Sequence, residues 1–420
     1  MITITDKSKC CGCSACVQRC PKHCIALVED NEGFLYPKAD SIVCVDCGLC
    51  EKVCPVINKD NKQEPLEVFA ALNPNEDIRM KSSSGGVFTQ LAEKIIEKGG
   101  VVFGARFNEQ WEVVHDYVET KEGIGIFRGS KYVQSRIGDN YRIAEAFLKE
   151  GRGVLFSGTP CQIAGLRKYL RKDYDNLLLV DFICHGVPSP GVFRTFLRDE
   201  IDKYAFTGVG RKSVLLPCIP LVSERDRLNY QGLNIRSICF RDKRNGWKKI
   251  GFALTLSKAS TAGEKNSVLT LYTPLHENSY LRGFLKDIYL RPTCHACPAK
   301  HLSSGSDITL GDYWGIAFTM PELDDDKGIS AIIVNTEKGR ITLHSTNVQL
   351  RSASFSDLLV HNSALQNSVP IPPQRELFFR NDGKTFEEKI RVLCSEPITV
   401  RRLIKKILKK ILKSLTSRRY

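Results

Sequence analysis

Cysteine is the residue type here whose number and spacing most clearly carry chemistry. Cys10, Cys13, Cys16 and Cys20, followed by Pro21, read C-x2-C-x2-C-x3-C-P, and Cys44, Cys47, Cys50 and Cys54, followed by Pro55, repeat the run. Three closely spaced thiolates grip one face of a 4Fe-4S cubane, and the trailing cysteine reaches the cubane of the other copy. The spacing therefore assigns Cys10, Cys13, Cys16 and Cys54 to one cluster and Cys44, Cys47, Cys50 and Cys20 to a second. Zinc takes four ligands in paired spacings and needs no trailing Cys-Pro, and a disulfide framework suits small secreted domains. Cys11 and Cys24 fall outside the pattern and read as plain thiols.

Seven cysteines lie downstream, four of them in turn-rich settings. Cys161, in FSGTPCQIAGL, follows a strand and opens a helix, where free N–H groups and the helix dipole favour a thiolate. Cys184, in FICHGVPSP, ends the next strand, and Cys294 and Cys297 form the pair PTCHACP. Four such thiols fit a third 4Fe-4S cluster, a zinc site, or a redox dithiol with two bystanders. Cys218, Cys239 and Cys394 read as small buried hydrophobes. His185, beside the candidate ligand Cys184, reads as a hydrogen-bond donor to the site, a proton carrier or a structural histidine.

The elements that must position these residues follow from periodicity. Residues 1–60 are the two-cluster unit, and Asn58 to Glu67 (NKDNKQEPLE) reads as a linker. Val68 to Leu72 reads as a strand. Val87, Phe88, Leu91, Ile95 and Ile96 recur at helical spacing between about Gly86 and Lys98, and VVFGARF ends a strand at Phe107. Further alternation predicts a strand at Val113–Val118, a helix near Ile143–Lys149, a strand at Val154–Ser157, a helix after Cys161 and a strand at Leu177–Ile183. This order favours an α/β layer with several parallel strands. ICFRD, FALTLS and VLTLY, between Arg236 and Tyr272, then read as strands, Tyr280–Ile288 as helical, and DITLGD and AIIVN as closing strands. Residues 208–232 have no clear period. The expected class is mixed α+β and α/β, with units at 1–60, 66–205, 206–350 and 351–398, and a C-terminal helix at 399–420.

Composition sets limits. The chain of 420 residues, 42% hydrophobic and 26% charged, is globular and too long for one ordinary core. It holds no apolar run of about 18 residues, so no span is expected, and MITITDKSKC has no signal-peptide pattern. Seventeen cysteines imply a reducing compartment, so a cytoplasmic location is expected. The net charge of +14 is concentrated at the end: residues 399–420 carry nine Lys or Arg and no acid, which leaves the rest only mildly basic. Within that tail Val400, Leu403, Ile404, Ile407, Leu408, Ile411, Leu412 and Leu415 form one stripe. The pattern fits either a basic amphipathic helix on the cytoplasmic face of an anionic membrane or a helix packed on protein. No basic motif with interleaved aromatics points to nucleic acid.

The N-terminal stretch resembles the two-cluster bacterial ferredoxins, which implies two short hairpins and two helices. The remainder, over about residues 66–345, resembles the beta subunit of the coenzyme F420-reducing hydrogenases and dehydrogenases. The segments that carry this likeness are SSSGGVFTQL (82–91), GSKYVQS (129–135), SGTPCQIAGL (157–166), DFICHGVPSP (181–190), PTCHACPAK (292–300) and SDITLGDYWG (306–315). The resemblance implies FAD bound beside a 4Fe-4S cluster, with Cys161, Cys184, Cys294 and Cys297 as ligands of a third cluster. It also implies flavin contacts from Ser83, Ser84, Gly85, Gly86, Lys131, Tyr132, Ser135 and Asp312. Hydroxyls and glycines before a helix N-terminus suit a phosphate or the polar edge of a ring, although they also suit an ordinary helix cap. Lys131 and His185 are the weak catalytic candidates.

The implied function is an oxidoreductase that passes electrons from a ferredoxin-like donor protein through the clusters to FAD and a two-electron small-molecule acceptor. The alternative is a non-catalytic carrier that docks on a partner enzyme. The family's acceptors include deazaflavins and a chlorophyll side chain, so likeness does not name this one. The fused clusters, the segment 208–252 with FRDKRNGWKK, and the basic tail set this chain apart from the hydrogenase subunits.

Overall fold

A computed structural model describes residues 1–205, 233–258 and 268–395. The whole of the 208–232 stretch and the basic helix expected at 399–420 lie outside these residues.

The N-terminal unit has one hairpin, β1 (Ile25–Glu29) and β2 (Leu35–Ala39), and two short helices, α1 (Ala15–Arg19) and α2 (Leu49–Lys52). Each helix carries the third cysteine of its run and follows a left-handed residue, Ser14 or Gly48. Two hairpins were expected, and only one is laddered among the described residues. Asn58 Nδ2 donates to the carbonyls of Glu51 and Lys52, which folds the chain after Cys54 back on α2 instead of extending it.

The body is built on an eight-stranded sheet in the order β13-β3-β12-β11-β7-β6-β4-β5. Its strands are β3 (Glu67–Leu72), β4 (Val101–Phe107), β5 (Val113–Val118), β6 (Val154–Ser157), β7 (Leu177–Phe182), β11 (Ile308–Asp312), β12 (Ser330–Val334) and β13 (Gln349–Ser352). The central block β11-β7-β6-β4 is parallel, and antiparallel strands flank it on both sides. Such centrally buried parallel strands need near-continuous apolar sequence, and VVFG, VLF and LLLV provide it with both faces buried. A second sheet, β10-β9-β8, is an antiparallel meander of β8 (Leu233–Asp242), β9 (Gly251–Lys258) and β10 (Val268–Pro274).

Helices α3 (Glu76–Met80), α4 (Val87–Glu97), α5 (Asn140–Lys149), α6 (Pro160–Leu170) and α7 (Pro190–Ala205) come from the first half of the body. From the second half come α8 (Ser279–Leu285), α9 (Ile316–Thr319), α10 (Glu337–His344), α11 (Phe355–His361), α12 (Gln374–Phe379) and α13 (Phe386–Leu393). The capping box that starts α6 is visible in the sequence: Pro160 occupies the first helical position, and the Thr159 N–H donates to Gln162 Oε1 at 3.0 Å. Among the described residues no helix is long and apolar enough to cross a membrane.

The N-terminal unit is packed into the body. Cys11, Cys13, Ala15 and Val53 share one apolar cluster with Tyr141, Ile163, Leu166 and Phe156. Gly165 on α6 faces Cys13 so closely that an added Cβ would come 2.8 Å from the Cys13 Cβ. Polar contacts close the seam, with Gln18 Oε1 accepting from the Tyr141 N–H at 3.0 Å and Lys168 donating to Asp60 at 2.5 Å.

Candidate functional site

The eight N-terminal cysteines lie close together: Cys50 neighbours Cys16 and Cys54 electrostatically, and one cluster of buried residues holds Cys16, Cys20, Cys50 and Cys54. Cys10, Cys16 and Cys54 are mutual electrostatic neighbours, and Cys13 neighbours Cys16 and Cys54. All four are buried, Cys10 beside Phe34 and Tyr36 and Cys13 against α6. Cys20, Cys44, Cys47 and Cys50 line a solvent-facing hollow together with Cys24, whose sulfur lies 3.4 Å from that of Cys20. Cys47 is exposed and Cys44 half-buried.

The downstream cysteines form a third set. β6 and β7 are adjacent and parallel, so the chain leaves both at the same edge of the sheet, one through Cys161 at the start of α6 and the other through Cys184. Carboxyl ends of parallel strands are where α/β sheets place their ligands. The short turn Pro292–Ala296 brings Cys294 and Cys297 to the same place, and each of the four thiols lies in the electrostatic reach of others in the set. Thr159 Oγ1 is 3.2 Å from Cys161 Sγ, and the Val187 N–H donates to Cys294 Sγ at 3.4 Å. Cys11, outside the spacing pattern, is an electrostatic neighbour of Cys10, Cys13 and Cys161, and so lies between the inner N-terminal set and this one.

Burial pushes the thiol of Cys16 to about 12, that of Cys294 to about 12 and that of Cys297 to about 11. Thiolates at these places need a cationic centre to hold them deprotonated. Among the described residues no three His, Cys, Asp or Glu side chains converge on a point that one ion would fill.

A cleft of about 850 Å³ opens where β4 and β5 meet the loop 126–131, the end of α3 and the strand β8, a size typical of small-molecule and cofactor sites. Lys81, Arg106, Arg128, Lys131, Arg236, Arg241, Lys243 and Arg244 line it, with only Asp116 and Asp242 against them. Lys81, Arg128 and Arg236 meet no carboxylate among the described residues, and the buried Arg241 Nε has no partner. Phe107, Trp111 and Phe240 add flat apolar surface. The chemistry of this lining fits an anionic, ring-bearing ligand such as a dinucleotide.

The flavin candidates divide around this cleft. Ser83 and Lys131 line it, and Ser83 Oγ accepts from the Ser130 N–H at 2.6 Å, tying the two candidate loops together. Lys131 Nζ donates to the carbonyls of Ile126, Phe127, Arg128 and Gly129 at 3.1–3.2 Å; burial depresses its pKa to about 7. Ser84, Gly85 and Gly86 point elsewhere. The Ser84 hydroxyl donates to Ile329 O at 2.7 Å, a Cβ on Gly85 would strike the Ala71 carbonyl, and Gly86, at φ +82°, starts α4 in a conformation that favours glycine. Ser135 lies apart from the cleft, accepting from Gln162 Nε2 at 2.9 Å.

Asp312 is paired behind the cleft wall. Arg241 Nη1 donates to Asp312 Oδ2 at 2.6 Å, Trp247 Nε1 donates to Oδ1 at 3.3 Å, and Tyr132 Oη accepts from Arg241 at 3.3 Å. Lys243 Nζ is held by the carbonyls of Arg79, Ser84 and Lys327 at 2.8–3.1 Å. His185 Nε2 lies 2.5 Å from Asp287 Oδ1. Its ring is edge-on to Phe284 at 5.3 Å, Phe284 stacks on Tyr132 at 4.7 Å, and Tyr132 meets Phe240 at 5.6 Å. This aromatic run leads from the residue after Cys184 to the cleft.

Apart from Lys131, the cations of the cleft are not singled out by the sequence. The signal was FRDKRNGWKK, whose Arg241, Asp242, Lys243 and Arg244 form one wall.

Comparison with known proteins gives the following matches. For the beta subunit of coenzyme F420 hydrogenase/dehydrogenase, the C-terminal family model matches residues 151–210 and 226–352, and the N-terminal one matches residues 68–139. A 4Fe-4S dicluster domain matches residues 9–58. The F-type polypeptide of the F(420)H(2) dehydrogenase of Methanosarcina mazei is 28% identical over 218 residues, covering 47% of this chain and 62% of that protein. Coenzyme F420-dependent sulfite reductase of Methanocaldococcus jannaschii is 28% identical over 171 residues, covering 39% of this chain and 26% of that protein. The chain thus spans less than two thirds of either relative. A chain of the F420-reducing NiFe hydrogenase complex from Methanosarcina barkeri aligns in structure over 79% of this chain and 91% of its own length, at 17% identity and a TM-score of 0.41.

Proposed function

We propose that this chain, which belongs to the family of coenzyme F420 hydrogenase/dehydrogenase beta subunits and carries a 4Fe-4S dicluster domain at its N-terminus, is the iron-sulfur flavoprotein component of an oxidoreductase. It takes electrons singly from a ferredoxin-like protein and delivers them in pairs to a small acceptor at the basic cleft. Cys10, Cys13, Cys16 and Cys54 hold an inner cluster, Cys20, Cys44, Cys47 and Cys50 an outer one, and Cys161, Cys184, Cys294 and Cys297 a third. Ser83, Arg106, Arg128, Arg236 and Arg241 bind FAD in the cleft. Clusters supply one-electron steps, and a flavin supplies the conversion to two.

The observation that carries this reading is continuity. Cys11 is an electrostatic neighbour of Cys10 and Cys13 on one side and of Cys161 on the other, and the run His185, Phe284, Tyr132, Phe240 continues from the third set to the cleft. The names of the relatives put a deazaflavin among the candidate acceptors, and the cleft's cations favour any acceptor that carries phosphate or carboxylate.

Anaerobic reconstitution with iron, sulfide and FAD tests the proposal. About twelve irons, the content of three cubanes, and one releasable FAD per chain are expected. About eight irons and no flavin would overturn it, and a full iron complement without flavin would favour the docking electron carrier.

A further inference from the structure

The loop that supplies Cys294 also carries a buried cation with no acid beside it. Arg291 is 1% exposed. Its Nε donates to Cys10 O at 2.7 Å, Nη1 to Gln134 Oε1 at 2.9 Å, and Nη2 to Leu35 O at 3.0 Å and to Cys10 Sγ at 3.4 Å. The rings of Tyr36 and Phe34 lie 4.3 and 5.3 Å from its guanidinium carbon. Every partner is a carbonyl, an amide, a ring or a thiol, and among the described residues no carboxylate pairs with it. A charge removed from water without a counter-ion is strongly disfavoured. The negative charge at hand belongs to the thiols of Cys10 and its neighbours and to whatever those thiols hold.

We infer that Arg291 is the counter-ion of the inner cluster and sets that cluster's potential above that of the outer one, so that electrons run inward. This rests on the cluster assignments proposed above. One electron from a low-potential one-electron donor makes the inner cluster one unit more negative, with no bond or proton exchanged. A fixed positive charge in contact with a ligand sulfur, out of reach of solvent screening, favours that reduced state. Among the described residues the outer set has no buried cation of this kind. Its nearest cations, Lys22 and the Met1 ammonium, are exposed, and the Met1 ammonium is paired with Asp46. The same loop is clamped to both sets: Thr293 Oγ1 donates to Cys10 O at 2.6 Å, and the Cys294 N–H donates to Arg291 O at 2.8 Å. Arg291 is therefore a positioning residue for electron flow and makes no contact with the cleft.

The test is a redox titration of the reconstituted full-length chain followed by EPR, with the outer signal assigned from a Cys47→Ser chain. In Arg291→Gln the inner midpoint should fall far enough to shift the one-electron equilibrium between outer and inner clusters at least about tenfold, equivalent to about 59 mV. The other two midpoints should hold, and Arg291→Lys should recover most of the shift. An unmoved inner midpoint in Arg291→Gln, or an equal shift of all three, overturns the inference. If the Gln chain loses about four irons while the Lys chain keeps them, the need for charge is upheld. Equal loss in both overturns it, because the guanidinium fork and not its charge is then what matters. A wild-type chain with fewer than eight irons breaks the cluster assignment itself, a separate outcome.

Discussion

Cys44, Cys47 and Cys50 line a hollow at which Cys47 is exposed, whereas Cys10, Cys13 and Cys16, spaced identically along the chain, are all buried, Cys10 beside Phe34 and Tyr36 and Cys13 against α6. Spacing selects the cofactor in both cases. Docking against the body then makes the two halves unequal: one keeps an exposed thiol at Cys47, and the other gains a buried arginine and a neighbour across the seam in Cys11. An internally repeated motif thus becomes directional without any change in its ligands. In the proposed relay the exposed half is where a partner protein would approach, and the enclosed half would be the bridge.

The largest expected effect removes one half at a time. In Cys16→Ala, the outer cluster should still be reduced by ferredoxin and then stay reduced, because its path inward is cut. In Cys47→Ala, the inner and third clusters should continue to exchange electrons. Freeze-quench EPR after mixing with reduced ferredoxin reads both, and a Cys16→Ala chain that drains its outer cluster at the wild-type rate would show that the inner set is no bridge.

An effect of intermediate size comes from the seat of the enclosed half. His115 is 4% exposed, its Nε2 lies 3.0 Å from Ser157 O, and its Nδ1 is buried with no partner, so folding favours the neutral ring. Burial depresses its pKa from 6.5 to about 4. The contribution is therefore complete above pH 6.5 and is lost as pH falls toward 4, when the unfolded chain takes up the proton first, at a cost of about 3 kcal/mol. The His115 carbonyl accepts from Asn140, whose helix receives Gln18 of α1. Urea midpoints between pH 7 and 4 should fall in the wild type and fall less in His115→Gln. Parallel curves would remove His115 from the account.

The smallest effect is mechanical. Gly165→Val drives carbon into Cys13, and overpacking of this kind costs about 1–3 kcal/mol. It should speed chelator bleaching of the inner cluster toward the outer cluster's rate while leaving the outer rate alone. Unchanged bleaching of both would mean that the seam does not shield the inner half.

These contrasts also mark what the sequence could tell. Iron-sulfur ligation is local chemistry, written in spacings of two and three residues, so the sets around Cys10 and Cys44 could be read directly. The apolar runs at Val154–Ser157 and Leu177–Phe182 announced buried parallel strands, and with them the common edge that holds Cys161 and Cys184. The cleft was hidden because its cations come from segments as far apart as Lys81 and Arg244, and because the charge of the tail drew attention away from them. Asp312 resembled a family site residue, yet its partner Arg241 stands 71 positions away, a separation that no periodicity reports. Arg291 sat beside a candidate ligand and still looked ordinary, because a missing counter-ion is visible only when the surroundings are known.

The pairing of β3 with β12 brings Val68 opposite Ile333, and this has a consequence for the order of events during synthesis. All eight N-terminal cysteines have been made by residue 54, whereas the central sheet cannot close until the ribosome has passed Val334, and the third thiol set is incomplete before Cys297. Chains fold from the N-terminus as they emerge, and long-range strand pairing is slow. The nascent protein therefore passes through an interval in which the cysteine module is complete and the face that will shield its inner half is still missing. Cluster loading in that interval would be open from both sides, and the packing of α5 and α6 against the module would end it.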